Sequence, residues 1–267
     1  MRILTFAVLF AATAAEANPR ALPFTYTTDT QPAGGAELEL FADLVPLRAI
    51  SPATTEETSY LASALQLELE IGLTDRLELG VYVTLAPSLG DQLAGTTFLA
   101  GTGTGLKQRL RYTLNEEPGQ WPVDVGIYGE LTENEREIEI EAKVLLDRRF
   151  DSLRVAANLS AEYELYFSGQ REWVLNPSAG VTYEITPRYH VGIDGFLRSE
   201  YPTNPSPATR TFGLGPHVYV GPAVLLAFDK AWWSFGAYGR LTCAGHDLMP
   251  GEPYGRVWLR SAIGFDL

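Results

Sequence analysis

The chain has 267 residues, 46% of them hydrophobic and 20% charged, with a formal net charge of −13. Such an acidic surface repels a phosphate backbone and excludes nucleic acid as a partner. The single cysteine, Cys243, leaves no intrachain disulfide to staple the fold.

The first residues combine one positive charge at Arg2, an apolar run from Ile3 to Ala15, and the small-x-small triplet Ala15-Glu16-Ala17. That is the layout of a secretory signal peptide, with cleavage expected after Ala17. A membrane-spanning helix would need about 20 apolar residues, and Glu16, Asn18, Pro19 and Arg20 interrupt the run too early. No later stretch reaches that length. Residues 18–35 show no regular pattern and are assigned to a periplasmic N-terminal segment.

From residue 36 to the end, alternation with period two replaces helical periodicity, which is the pattern of strands with two different faces. Residues 36–46 place Leu38, Leu40, Ala42 and Leu44 opposite Glu37, Glu39 and Asp43. A hairpin follows. Leu65, Leu67, Leu69 and Ile71 oppose Gln66, Glu68 and Glu70, and after Thr74-Asp75-Arg76 the residues Leu77, Leu79, Val81 and Val83 oppose Glu78, Gly80, Tyr82 and Thr84. The same reading continues to give strands over residues 36–46, 59–73, 77–87, 101–114, 122–132, 137–147, 153–167, 172–185, 189–201, 210–227, 232–242 and 254–267. The connections over 47–58, 88–100, 202–209 and 243–253 are long and polar, whereas 74–76, 148–152, 186–188 and 228–231 are tight.

About twelve strands of this length over residues 36–267 predict an all-β fold, a transmembrane antiparallel up-and-down β-barrel with both termini in the periplasm. The rival is a soluble β-sandwich. Three features favour the barrel. The strands exceed the usual 5–6 residues of soluble sheets and suit the 9–11 needed to cross a bilayer at a tilt. Charges sit in mid-strand on the polar faces, which a water-filled lumen tolerates. Tyr112, Tyr163, Phe167, Trp173, Tyr183, Tyr201, Phe212 and Trp233 fall towards strand ends on the apolar face, as interface girdles do. In the last strand, Val257, Leu259, Ile263, Phe265 and Leu267 alternate with Arg256, Trp258, Arg260, Gly264 and Asp266. It resembles the C-terminal signal read by the barrel-assembly machinery, although Phe is the commoner final residue there.

Four stretches carry a family resemblance: Pro23-Phe24 with Thr27-Thr28-Asp29 and Gly35-Ala36-Glu37-Leu38-Glu39; the run from Gly72 to Gly80; the run from Gly105 to Tyr112; and Gly215-Pro216. Each is short, but their order is that of the outer-membrane proteins labelled as the MetA pathway of phenol degradation, which the chain resembles over most of its length. The resemblance implies a barrel that admits small, hydrophobic or aromatic solutes.

Inward residues set what a pore selects. The lumen-lining candidates are the acids Glu68, Glu70, Glu78, Glu139, Glu141, Glu162 and Glu164 and the bases Lys107, Arg109, Arg111, Arg154, Arg256 and Arg260. Because Lys107, Arg109 and Arg111 share a strand face, they form either a basic stripe facing an acidic wall or one half of a set of paired charges that closes the lumen. The second arrangement is the commoner. Inward Tyr82, Tyr128, Tyr166, Phe196, Tyr219, Trp232, Tyr238 and Trp258 either fill the interior or guide apolar rings.

No enzymatic chemistry is expected: His190, His217 and His246 lie in no Gly-x-Ser-x-Gly setting. Glu137, Glu139 and Glu141, without His or Cys, read as a solvated wall and not as a metal site. Gly101-Thr102-Gly103-Thr104-Gly105 lacks the following Lys-Ser/Thr of a phosphate loop. No cofactor is expected. The expected partners are outer-membrane lipids, the assembly machinery and a small solute. The expected function is a passive outer-membrane channel, with a non-conducting structural or partner-binding barrel as the alternative.

Overall fold

The computed structural model describes residues 18–50, 55–85, 104–204, 215–243, 252 and 254–267. The expected signal peptide over residues 1–17 lies outside them, as do Phe212, His246, the expected loop over 88–100 and most of that over 243–253.

Among the described residues thirteen antiparallel strands form one sheet: β1 (Ala36–Ile50), β2 (Glu57–Thr74), β3 (Leu77–Leu85), β4 (Gly105–Thr113), β5 (Asp124–Asn134), β6 (Glu137–Phe150), β7 (Leu153–Tyr166), β8 (Arg171–Leu175), β9 (Ser178–Thr186), β10 (Tyr189–Pro202), β11 (His217–Ala227), β12 (Ala231–Arg240) and β13 (Val257–Asp266). The sheet closes because β13 pairs with β1, Phe265 opposite Leu38 and Leu259 opposite Leu44. β8 and β9 are two halves of one stave. Both pair with β7 and with β10, and the register runs unbroken from Leu175 opposite Ala161 to Ser178 opposite Asn158. The interruption falls at Asn176-Pro177, where proline has no N–H to give the ladder. The wall therefore has twelve staves, the number and topology expected.

Several strand ends differ from expectation; β6 runs on to Phe150 and β13 begins at Val257. β1 and β2 run on to Ile50 and from Glu57, so the expected connection over 47–58 is shorter. Residues 101–103 and 210–214 of two expected strands lie outside the described residues; within the described ones β4 begins at Gly105 and β11 at His217. The tight turns at 75–76, 151–152, 187–188 and 228–230 share one end of the barrel with Ala36 and Asp266, called here the terminal end; the opposite end is the loop end. Thr74 braces the first turn, its Oγ1 accepting from the N–H groups of Arg76 and Leu77 at 3.2 and 3.0 Å. Asp151 takes a φ of 50° in the second, a left-handed conformation that Asp tolerates better than most residues.

Alternation sorts the two faces cleanly. Leu67, Val81, Leu110, Ile127, Ile140 and Leu159 are exposed on the outside, an apolar belt suited to hydrocarbon. Phe167, Trp173, Tyr183 and Tyr201 are exposed towards its rims. The inward aromatics form a packed interior in which Phe196 stacks on Tyr219 at 4.9 Å and meets Trp258 edge-on at 5.3 Å.

The largest departure concerns residues 18–35. Expected as a segment outside the barrel, they run from the terminal end into the lumen as far as Phe24 and Tyr26 and then return to Ala36. Both arms of this U meet at Glu37, whose Oε2 accepts from the Asn18 N–H and the Gln31 amide, each at 3.2 Å. Two glycines on the inner wall make room. A Cβ on Gly180 would stand 2.8 Å from a Leu22 methyl, and one on Gly72 would overlap the Pro32 carbonyl. The segment has no periodicity because it is neither strand nor helix; its backbone bonds to inward side chains, so alternation carried no sign of it.

Leu110, at the centre of β4 and exposed on the outer face, tests the belt. Leu110→Arg is expected to destabilise the barrel by about 2–4 kcal/mol when refolded into phospholipid vesicles, read as a lower urea midpoint. A change under about 0.5 kcal/mol, within the range of ordinary surface substitutions, would mean that this face does not meet hydrocarbon.

Candidate functional site

In-register pairing brings carboxylates face to face on the inner wall. Glu39 opposes Glu68 and Glu37 opposes Glu70 between β1 and β2; Glu130 opposes Glu141 between β5 and β6; Glu139 opposes Glu164 and Glu141 opposes Glu162 between β6 and β7. Like charges so placed repel. In a buried setting each needs a cation or good donors.

Cations reach them from neighbouring staves and from the segment within the lumen. Arg109 on β4 lies 2.7 Å from both Glu68 and Glu78 and also contacts Glu70. Arg111 reaches Glu78 at 2.7 Å. Arg20, carried by the inserted segment, donates from Nε to Glu39 at 3.0 Å, lies 3.1 Å from Glu68 and contacts Glu70. Arg198 on β10 holds Glu162, Glu164 and Glu200 at 3.0–3.1 Å. Lys107 pairs with Glu130 at 3.0 Å, Lys143 with Glu141 at 2.9 Å, and Arg260 with Asp43 at 2.7 Å. The Lys107, Arg109 and Arg111 face is thus not a free basic stripe; each cation is paired with acids on β2, β3 or β5.

The rest of the segment docks by the same means. Asp194 accepts from the Phe24 N–H at 2.8 Å, the Thr25 hydroxyl at 2.7 Å and the Tyr238 hydroxyl at 3.1 Å. Asn158 takes the Tyr26 N–H at 2.7 Å and returns its amide to the Tyr26 carbonyl at 2.9 Å. The Phe24 ring stands 4.0 Å from Phe196 and carries the Arg260 guanidinium 3.9 Å above it. Asp29 meets Arg154, which also binds Asp147. Burial pushes the Asp29 carboxyl up, but Arg154, Arg149 and Arg111 outweigh that and hold it below the usual carboxylate range.

Above the segment, towards the loop end, lies a cavity of about 210 Å³. Its floor is Phe24 and Tyr26, and its wall includes Glu130, Glu139, Glu141, Lys143, Glu162 and Arg198. At the loop end Tyr254 and Gly255 are buried, the Tyr219 hydroxyl donating to the Gly255 carbonyl at 2.7 Å, and Tyr254 stacks on His217 at 4.2 Å.

Of the thirteen lumen-lining candidates, twelve face inward on the strands, buried or half-buried. Arg256 lies one residue before β13 and is exposed, so it is not a wall residue. The structure gathers Glu68, Glu70, Glu78, Arg109 and Arg111 into one cluster and Lys107, Glu139, Glu141, Glu162 and Glu164 into another, with Arg154 and Arg260 apart. Sequence reading missed Arg20, Asp29 and Gln31, which carry no pattern. It also passed over Lys143, Asp194 and Arg198, whose inward positions follow from alternation but whose partners depend on register.

No family model matches the sequence, and no curated protein matches it significantly. Solved structures do match. The NanC porin superposes with a TM-score of 0.54 at 13% identity, over 86% of this chain and 100% of that one. A bacterial polysaccharide outer-membrane secretin gives 0.47 at 10% identity over 91% and 100%, and OmpT of Vibrio cholerae gives 0.40 at 8% over 87% and 96%. The chain has the fold of an outer-membrane porin, a closed twelve-stave antiparallel barrel.

Two substitutions test the docking of the segment. Arg20→Met leaves Glu39, Glu68 and Glu70 short of a buried cation and is expected to cost about 3–5 kcal/mol. It should also expose residues 18–31 to protease in the folded barrel; protection equal to that of the unsubstituted chain would show that Arg20 does not anchor the segment. Because the Asp29 pKa is lowered in the folded state, its contribution is present above the unfolded value of 3.8 and lost as pH falls through the folded one. Denaturation of the Asp29→Asn variant should therefore differ from that of the unsubstituted chain at neutral pH, and the gap should close only below pH 3.8. A gap that closes near neutrality would place the effect on another group.

Proposed function

We propose that the chain is a passive channel for small solutes in the outer membrane of a Gram-negative bacterium, and not an enzyme. The observation that carries this reading is the cavity between the inserted segment and the loop end, enclosed by a barrel with an apolar outer belt. A packed scaffold has no need of such a space. Its mixture of aromatic floor and charged wall suits small organic solutes, and the resemblance to the MetA-pathway proteins favours aromatic ones. Export after cleavage behind Ala17 and insertion by the assembly machinery through β13 belong to the same reading, with membrane lipids around the belt.

In this reading the segment over residues 18–35 is the resistance of the channel, since it occupies the terminal half of the lumen. The alternative is a non-conducting structural or partner-binding barrel. It draws on the same segment and on the near-complete pairing of charges around it.

Planar-bilayer conductance of the refolded chain from residue 18, compared with one lacking residues 18–31, separates the two. Small unitary steps that grow several-fold on deletion are expected. Silence from both proteins, each shown to be folded, would overturn the channel.

A further inference from the structure

Glu139 stands apart from the other inward acids of the loop half. Its carboxylate oxygens belong to two groups at once: one lies within 4.8 Å of oxygens of Glu130 and Glu141, and one within 4.8 Å of oxygens of Glu162 and Glu164. Glu130 has Lys107 and the Tyr128 hydroxyl, the latter at 2.5 Å; Glu141 has Lys143; Glu162 and Glu164 share Arg198. Glu139 is only 7% exposed and makes no hydrogen bond or ion pair among the described residues. Five carboxylates therefore meet three cations, and Arg198 is also claimed by Glu200.

A second observation comes from the next stave. Thr132 lies opposite Glu139 on one side and opposite Lys107 on the other, facing inward between them. It is 2% exposed and its Oγ1 has no hydrogen-bond partner. Residues directly opposed in a ladder have Cβ atoms about 5 Å apart, so Thr132 and Glu139 are neighbours on the inner face. The buried hydroxyl lacks a partner, and Glu139 lines the cavity among like charges. A ligand that supplies positive charge and accepts only oxygen donors satisfies both.

We infer that Glu139, with Glu130, Glu141 and Thr132, binds a hard divalent cation of the calcium class inside the lumen. Calcium takes oxygen ligands at about 2.3–2.6 Å in a flexible geometry, which suits carboxylates whose positions are fixed by strand register. Magnesium demands a near-ideal octahedron. The cavity of about 210 Å³ beside Glu139 leaves room for the waters that complete the shell. Lys107 and Lys143 compete for Glu130 and Glu141, which puts the affinity in the weak range of extracellular sites, a Kd of roughly 0.1–1 mM.

Isothermal titration of calcium chloride into the refolded, chelator-treated chain in detergent tests the site. One saturable event is expected. Glu139→Gln should weaken it at least about tenfold, which is about 1.4 kcal/mol, and Thr132→Val several-fold. Glu184→Gln, on the exposed end of β9, should leave it unchanged. No saturation up to about 10 mM, ten times the weakest affinity of extracellular sites, overturns the proposal. So does binding that Glu139→Gln leaves intact. Should that variant fail to fold, Thr132→Val decides, and unchanged calcium binding by it overturns the site equally.

Discussion

The structure depends on reconciling an acidic inner wall with a ring that must close. Once β13 pairs with β1, Glu37, Glu39, Glu68 and Glu70 project into an interior from which most solvent is excluded. Their mutual repulsion, strengthened by a low local dielectric, opposes the closure that the backbone ladder favours. Arg109 answers part of this from the wall. Arg20 answers Glu39, Glu68 and Glu70 from a segment that is not part of the wall at all, and Asn18 and Gln31 of the same segment donate to Glu37. Removing that segment changes the electrostatics of the barrel as well as its bore.

This explains why the inserted stretch is held by polar contacts. A plug that packed only by apolar contact would leave buried carboxylates uncompensated. Here Arg20, Thr25, Thr28 and Gln31 each present a donor to an inward acid, while Leu22 and Phe24 supply the apolar contacts that fix its height in the lumen. The Arg20 ion pairs lie near the terminal end, while at mid-barrel aromatic packing joins the contacts of Asp194 and Arg260.

Much of the wall was legible in the sequence because alternation is enforced by two incompatible solvents. Leu65 to Ile71 and Leu77 to Val83 could be paired by eye, and the split of one stave at Pro177 did not disturb the count because the register continues across it. What alternation does not encode is register between strands distant in sequence. That Glu139 makes no direct ion pair, while Glu130 and Glu141 do, depends on which residues of β4, β5, β6 and β7 come to oppose one another. Residues 18–35 were illegible for a different reason. Their conformation is dictated by the cavity that receives them, so Arg20 read as a flanking charge.

Because the segment is a U whose two arms meet at Glu37, its mechanical behaviour differs with the direction of pull. Tension applied at Asn18 from the terminal end loads its attachments in series. The Glu37 contact opens first, then the Arg20 cluster, then the ring packing of Phe24, with each rupture needed before the next is felt. A force pressing from the loop end instead pushes on the bend at Phe24 and Tyr26 and loads Asp194, Asn158, Arg260 and both arms together. The insert is thus easy to peel from one side and hard to drive out from the other, as a valve seat resists pressure from above while yielding to a tug from below.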